Sequence, residues 1–228
     1  MYNNISHIRA EIVEAAHRLY ERHLLDSAGG NLSVRVDDRL VCMTPRYSGQ
    51  HLKWNLKPED VLVVTLDAEI VDGTGQISRE SKAHLRLHRE FGAPGNAVIH
   101  AHARNVLVFA AMNMPMPAVL EATRKFGEVP VVEYAPAHTS NLSDSIVEAI
   151  RPQVSRINKQ AAAAIAPWHG LFLMGKDLEN AADAVERLDT NAYILMMSRH
   201  LGADHLMTDQ RAQMEQAVAD FNAKHPGA

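Results

Sequence analysis

Asn31-Leu32-Ser33-Val34-Arg35-Val36, then Asp37-Asp38, then Arg39-Leu40-Val41-Cys42-Met43, is the stretch that decides the fold. Both arms are rich in apolar and β-branched residues, and the aspartates between them mark a turn. So short a connection cannot carry a parallel crossover, which needs about a dozen residues or more. The arms therefore pair as an antiparallel hairpin. The pattern recurs outward. Residues 61–66 and 69–71 flank a turn at Asp67-Ala68, and residues 161–166 and 171–174 bracket Pro167-Trp168-His169-Gly170. Residues 97–102 and 129–134 read as two further strands. Helical spacing covers residues 6–25, with Ser6 as N-cap, and residues 81–91, 104–112, 140–150, 178–201 and 209–224, the last before a frayed tail. Helices and strands interleave irregularly, with no internal repeat or linker. The expectation is an α/β chain, one domain over residues 1–228, with a mixed, largely antiparallel sheet covered by helices.

The bulk properties restrict the function. The 228 residues allow one full-sized core, with 46% apolar and 22% charged residues. A formal net charge of −4 gives no general attraction to nucleic acid or an anionic membrane. The lone cysteine, Cys42, excludes an intrachain disulfide framework. The first residues, MYNNISHIRAEIVEAAHRL, carry no apolar leader, and no stretch approaches the ~20 apolar residues that span a bilayer. The longest apolar run, residues 106–112, reads as buried helix. The expected location is cytoplasmic. The histidines number thirteen, and several, such as His7, His17 and His23, fall on the first helix, so position rather than count must identify a site.

His100-Ala101-His102 is the most informative position. Histidines two apart on a strand share a face, so both rings can reach one ion about 2 Å away. His169, beside Gly170 at a strand interruption, is the best third ligand. Three protein ligands and an open position is the pattern of a catalytic metal site. Imidazole suits several ions, so ligand type does not choose among them.

Gly30-Asn31-Leu32-Ser33, Thr44-Pro45, Ser78-Arg79-Glu80 with His84 four residues on, His100-Ala-His102, Tyr134-Ala-Pro and His169-Gly170 occur in a recognisable order. In these motifs the chain resembles the class II aldolase/adducin family from about residue 5 to residue 201. The resemblance implies a three-layer αβα sandwich and a divalent ion, zinc with Mn2+, Co2+ or Fe2+ as substitutes, held by His100, His102 and His169. It implies Glu80 as general acid/base and an anion site at Gly30 and Asn31, completed by Thr44, Ser48, Gly49 and Ser78. Tyr134 matches a tyrosine that serves a neighbouring subunit's site, and the implied assembly is a homotetramer with sites at subunit interfaces.

Two departures bear on the substrate. Thr44-Pro45 is followed by Arg46-Tyr47-Ser48-Gly49 rather than directly by a small residue and glycine. Arg79 stands where the family's sugar-phosphate aldolases carry a second serine. The implied reaction is cleavage of a small phosphorylated ketose to dihydroxyacetone phosphate and an aldehyde through a metal-stabilised enediolate. Decarboxylation of an oxo-acid or dicarboxylate, epimerisation and dehydration would use the same site, and the two arginines could hold a carboxylate. A non-enzymatic, adducin-like module would not need the three histidines and Glu80.

Overall fold

The hairpin forms as read. Strand β1 (Asn31–Arg35) runs antiparallel to β2 (Leu40–Met43), with Val34 opposite Cys42. Asp37 Oδ1 closes the turn by accepting from the backbone N–H groups of Arg39 at 2.8 Å and Leu40 at 2.9 Å. The computed structural model describes residues 2–201 and 204–225. Among them β3 (Leu62–Thr65), β4 (Ile70–Asp72), β5 (Ala97–Ala101), β6 (Ala161–Ala166) and β7 (Gly170–Gly175) complete a seven-stranded sheet in the order β4-β3-β2-β1-β5-β7-β6. Every adjacent pair in that order is antiparallel.

The strands at the centre are apolar on both faces because helices cover both. Ile99, Ala163, Ile165 and Leu173 belong to the core beneath α1 (Tyr2–Glu21), α3 (Val106–Ala111) and α6 (Leu178–His200). Their neighbours Val98, Ala162, Ala164, Phe172 and Met174 belong to the opposite core, beneath α2 (Ser81–Phe91), α4 (Ser140–Ile150) and α5 (Val154–Lys159). This alternation produces the three-layer αβα sandwich. A last helix, α7 (Asp204–Lys224), is tied to the body by the Arg124–Glu215 ion pair. No helix of the described residues is long and apolar enough to cross a membrane.

Several boundaries differ from the sequence reading. Helix α1 begins at Tyr2, so Ser6 lies inside it and is not its cap. The helix expected at 209–224 begins at Asp204, and the tail at 226–228 lies outside the described residues. Residues 129–134 form no strand. Pro130 has no N–H to give, and the segment makes only isolated bridges, Met116 with Val129 and, parallel, Val131 with Ile165. The apolar run at 106–112 is half buried, since Val108 and Met112 face solvent.

Candidate functional site

Three elements converge at one end of the central strands. Strand β5 carries His100, the chain continues to His102 just beyond it, and the turn between β6 and β7 presents His169. Gly170 is required there: its φ is +156°, and a Cβ would stand 2.7 Å from the Ala101 carbonyl oxygen and 3.1 Å from His100 Cε1. One ring nitrogen from each of the three histidines falls within 4.8 Å of the others. His100 Nδ1 donates to the Leu171 carbonyl at 3.0 Å, and the His100 ring stacks on Phe172 at 4.1 Å. His102 Nδ1 lies 3.1 Å from both carboxylate oxygens of Asp26. With Nδ1 engaged, Nε2 is left for another partner, and His102 Nε2 is buried with none.

Burial drives the His100 ring well below its ordinary pKa, with His169 and His102 adding to the effect. Burial, then His102 and His138, takes His169 down to about 4. Both rings are therefore neutral at pH 7, the protonation state that binds metal. Oriented, neutral nitrogens and a buried nitrogen without a partner are what a divalent cation needs, so these residues fit one.

Glu80 sits at the N-terminal boundary of α2, where its carboxylate is buried 3.6 Å from His169 Nε2 and 2.9 Å from His138 Nδ1. Burial pushes its pKa up to about 7, against the opposing pull of His102 and Arg79. The carboxyl can thus carry a proton near neutrality.

A cavity of about 350 Å³ opens over these groups. Of the residues the sequence singles out, Gly30, Asn31, Ser48, Gly49, Ser78, Arg79, Glu80 and all three histidines line it. The Asn31 amide donates to Ser78 Oγ at 2.6 Å, and that oxygen also accepts from the Glu80 backbone N–H at 3.2 Å. Arg46 lines the cavity too, its guanidinium 4.5 Å over the Tyr47 ring and its Nε buried without a partner. Thr44 is not in the lining. Its hydroxyl accepts from the Leu32 backbone N–H at 3.1 Å, a contact within the sheet. Tyr134 is also outside it, exposed and edge-on to Trp168 at 5.2 Å.

The sequence reading missed two participants. Asp26 orients His102 and accepts from the N–H groups of Ala28 at 2.8 Å and Gly29 at 2.7 Å, which shapes the loop before β1. These contacts outweigh burial and hold its carboxyl below the usual range. His138 reaches Glu80 from the loop before α4. An aspartate followed by Ser-Ala-Gly-Gly was the only available signal for the first, and a histidine in a polar loop carried none for the second.

The chain belongs to the class II aldolase/adducin family: the model of the Class II Aldolase and Adducin N-terminal domain matches residues 10–196. Its relatives at this level of similarity include aldolases, a decarboxylase and a dehydratase, all of them lyases, and the chain is a lyase. The chain is 27% identical over 214 residues to 5-deoxy-D-ribulose 1-phosphate aldolase of Bacillus thuringiensis serovar kurstaki, covering 93% of this chain and 94% of that protein. It is 24% identical over 212 residues to 3-oxo-tetronate 4-phosphate decarboxylase of Pectobacterium atrosepticum, covering 90% and 91%. A solved structure of L-fuculose 1-phosphate aldolase superposes with a TM-score of 0.73 at 25% identity, over 91% of this chain and 95% of that one.

Proposed function

We propose that this protein is a metal-dependent aldolase that reversibly cleaves a small phosphorylated ketose to dihydroxyacetone phosphate and an aldehyde. The observation that carries this reading is a buried carboxyl, Glu80, beside a three-histidine cluster in a cavity that a glycine-rich loop also lines. A divalent cation on His100, His102 and His169, zinc being the first choice, would supply Lewis-acid polarisation of the ketose carbonyl and counter-charge for the enediolate. The chain's own groups do the rest. Gly30, Asn31, Ser48, Gly49 and Ser78 hold the phosphate through backbone N–H and side-chain donors. The Glu80 carboxylate takes the C4 hydroxyl proton as the C3–C4 bond breaks to release the aldehyde, and then delivers that proton to C3 of the enediolate.

Two features extend the reading. Tyr134 and Trp168 form an exposed aromatic pair, with Trp168 one residue from a proposed metal ligand. This placement supports a homotetramer in which Tyr134 serves an adjacent subunit's site. Arg46 and Arg79 in the cavity wall, together with the similarity to the oxo-tetronate phosphate decarboxylase, favour a second reading. In it the bond to a carboxylate breaks in place of the C3–C4 bond, so that CO2 leaves instead of the aldehyde and the enediolate remains.

Purified protein loaded with zinc should be assayed on 5-deoxy-D-ribulose 1-phosphate, L-fuculose 1-phosphate and 3-oxo-tetronate 4-phosphates. Glu80→Gln is expected to keep KM while kcat falls at least about 10²-fold. Unchanged turnover would return Glu80 to a structural role.

A further inference from the structure

Among the described residues, His138 is the one histidine of the cavity lining that the scheme above leaves idle. It lies on the loop between Tyr134 and α4, and its side chain is 44% exposed while that of Glu80 is 7% exposed. Its φ is +70°, a left-handed conformation that costs a residue with a Cβ about 1–2 kcal/mol and costs glycine nothing. A strained residue at the rim of a site is held there by its surroundings. Here the surroundings are rigid. Thr139, the next residue, donates from Oγ1 to the Pro136 carbonyl at 2.7 Å and accepts from the Leu142 N–H at 3.2 Å as the cap of α4. The loop is thereby clamped on both sides of His138, and in that pose its Nδ1 stands 2.9 Å from Glu80 Oε1.

We infer that His138 is a positioning residue for the reaction: it holds the Glu80 carboxyl in the orientation that faces the His100, His102 and His169 cluster, and it acts through Glu80 alone. Glu80 sits where α2 begins, with φ −87° and ψ 8°, and its side chain makes no capping hydrogen bond to the helix. Nothing in the helix cap fixes the carboxyl. Two imidazoles stand against it: His138 Nδ1 at 2.9 Å, with its ring also bonded to the Arg79 backbone, and His169 Nε2 at 3.6 Å, beyond hydrogen-bond reach. His169 already has a proposed ligand role, which leaves His138 as the dedicated restraint. The inference rests on Glu80 being the proton carrier.

His138→Gly separates the imidazole from the backbone, because glycine accepts the positive φ and the fold loses only the ring. The first readout is incorporation of solvent deuterium at C3 of dihydroxyacetone phosphate, followed by NMR on the zinc-loaded protein, a half-reaction that needs no aldehyde. His138→Gly is expected to slow it about 10- to 100-fold in kcat with KM within about threefold, while zinc content and melting temperature hold. His138→Asn, which tolerates positive φ and keeps a donor, should recover part of the loss. In a Glu80→Gln background His138→Gly should do nothing further. The second readout needs no metal and no turnover: the 13C resonance of the Glu80 carboxyl, assigned by its disappearance in Glu80→Gln, should move in His138→Gly. A wild-type exchange rate, a loss confined to KM, a fall in zinc content, a further drop in the Glu80→Gln background or an unmoved carboxyl resonance would each overturn the role. Exchange unaffected by Glu80→Gln would instead remove the acid/base reading, and with it any action of His138 through Glu80.

Discussion

Asp26 joins two parts of the site: its carboxylate lies 3.1 Å from His102 Nδ1 while its Oδ1 accepts the Gly29 backbone N–H at 2.7 Å. One side chain therefore sets both the aim of a proposed metal ligand and the shape of the proposed anion loop. Asp26→Asn should keep the loop's backbone contacts in part but lose the charge that favours His102 as donor. Zinc affinity, measured by chelator competition, is expected to fall about 10- to 100-fold. Unchanged affinity would make Asp26 a loop residue only.

The histidine cluster makes a stoichiometric prediction. Wild-type protein should hold about one divalent ion per subunit, and alanine at His100, His102 or His169 should each lower that number, since three ligands leave no spare. Elemental analysis of the purified proteins decides it. A triple variant still carrying one ion per subunit would place the metal elsewhere.

Gly29 has its own consequence. A Cβ at Gly29 would overlap the His102 ring. Gly29→Ala should therefore displace His102 and weaken zinc binding, with a modest loss of stability of about 1–3 kcal/mol. Chelator competition and urea unfolding, run on the same samples, separate the two effects. Wild-type zinc affinity would show that the ring moves aside without harm.

Arg79 and Arg46 test the substrate's anion. If either guanidinium contacts it, replacement by serine removes a charge-assisted contact of about 1.5–3 kcal/mol, so kcat/KM should drop about 10- to 100-fold. The loss should be much smaller on an unphosphorylated ketose. Near-wild-type efficiency of both variants on phosphorylated substrate would remove the arginines from recognition.

A buried pair of histidines predicts acid sensitivity. His84 Nδ1 and His88 Nε2 lie 2.7 Å and 2.9 Å from Ser33 Oγ, and both rings are fully buried. Burial takes both down to about 3 from an ordinary value of 6.5, with His84 and Arg35 adding to the shift at His88. Between those values the unfolded chain binds protons that the folded chain refuses. The stability is complete above about pH 6.5 and is lost as pH falls toward 3, by roughly 1 kcal/mol per pH unit for each ring. Urea midpoints at pH 7 and pH 5 should differ accordingly. Identical midpoints would mean that the rings charge without opening the core.

What the sequence made legible follows from periodicity and local chemistry. The hairpin at Asp37-Asp38, the shared face of His100 and His102, and the start of α2 just after Glu80 are all short-range features. Asp26 and His138 escaped because each works from a loop on a partner far along the chain, His102 and Glu80, and no spacing rule links such residues. Residues 129–134 misled for the opposite reason: the apolar pattern of a strand was present, but Pro130 withholds the donor that a full ladder needs. Thr44 sits beside the loop it was expected to serve, with its hydroxyl turned into the sheet.

The strand order places the seam between β1 and β5 at the middle of the sheet, with Asn31 opposite His100. Each of the hairpins to either side can zip locally, but this seam brings together segments separated by β2, β3, β4, α2 and their connections. Closing so long a loop is slow relative to hairpin formation. Both sides of the proposed site, the glycine loop and the histidines, flank that seam. The three histidines themselves come together across the next seam, β5 with β7, which is as non-local, so an intermediate with only its hairpins formed would lack the complete ligand set. Followed in time during refolding, tight zinc uptake should track this central docking rather than the early appearance of secondary structure, so the ion would serve as a clock for the last large step of folding.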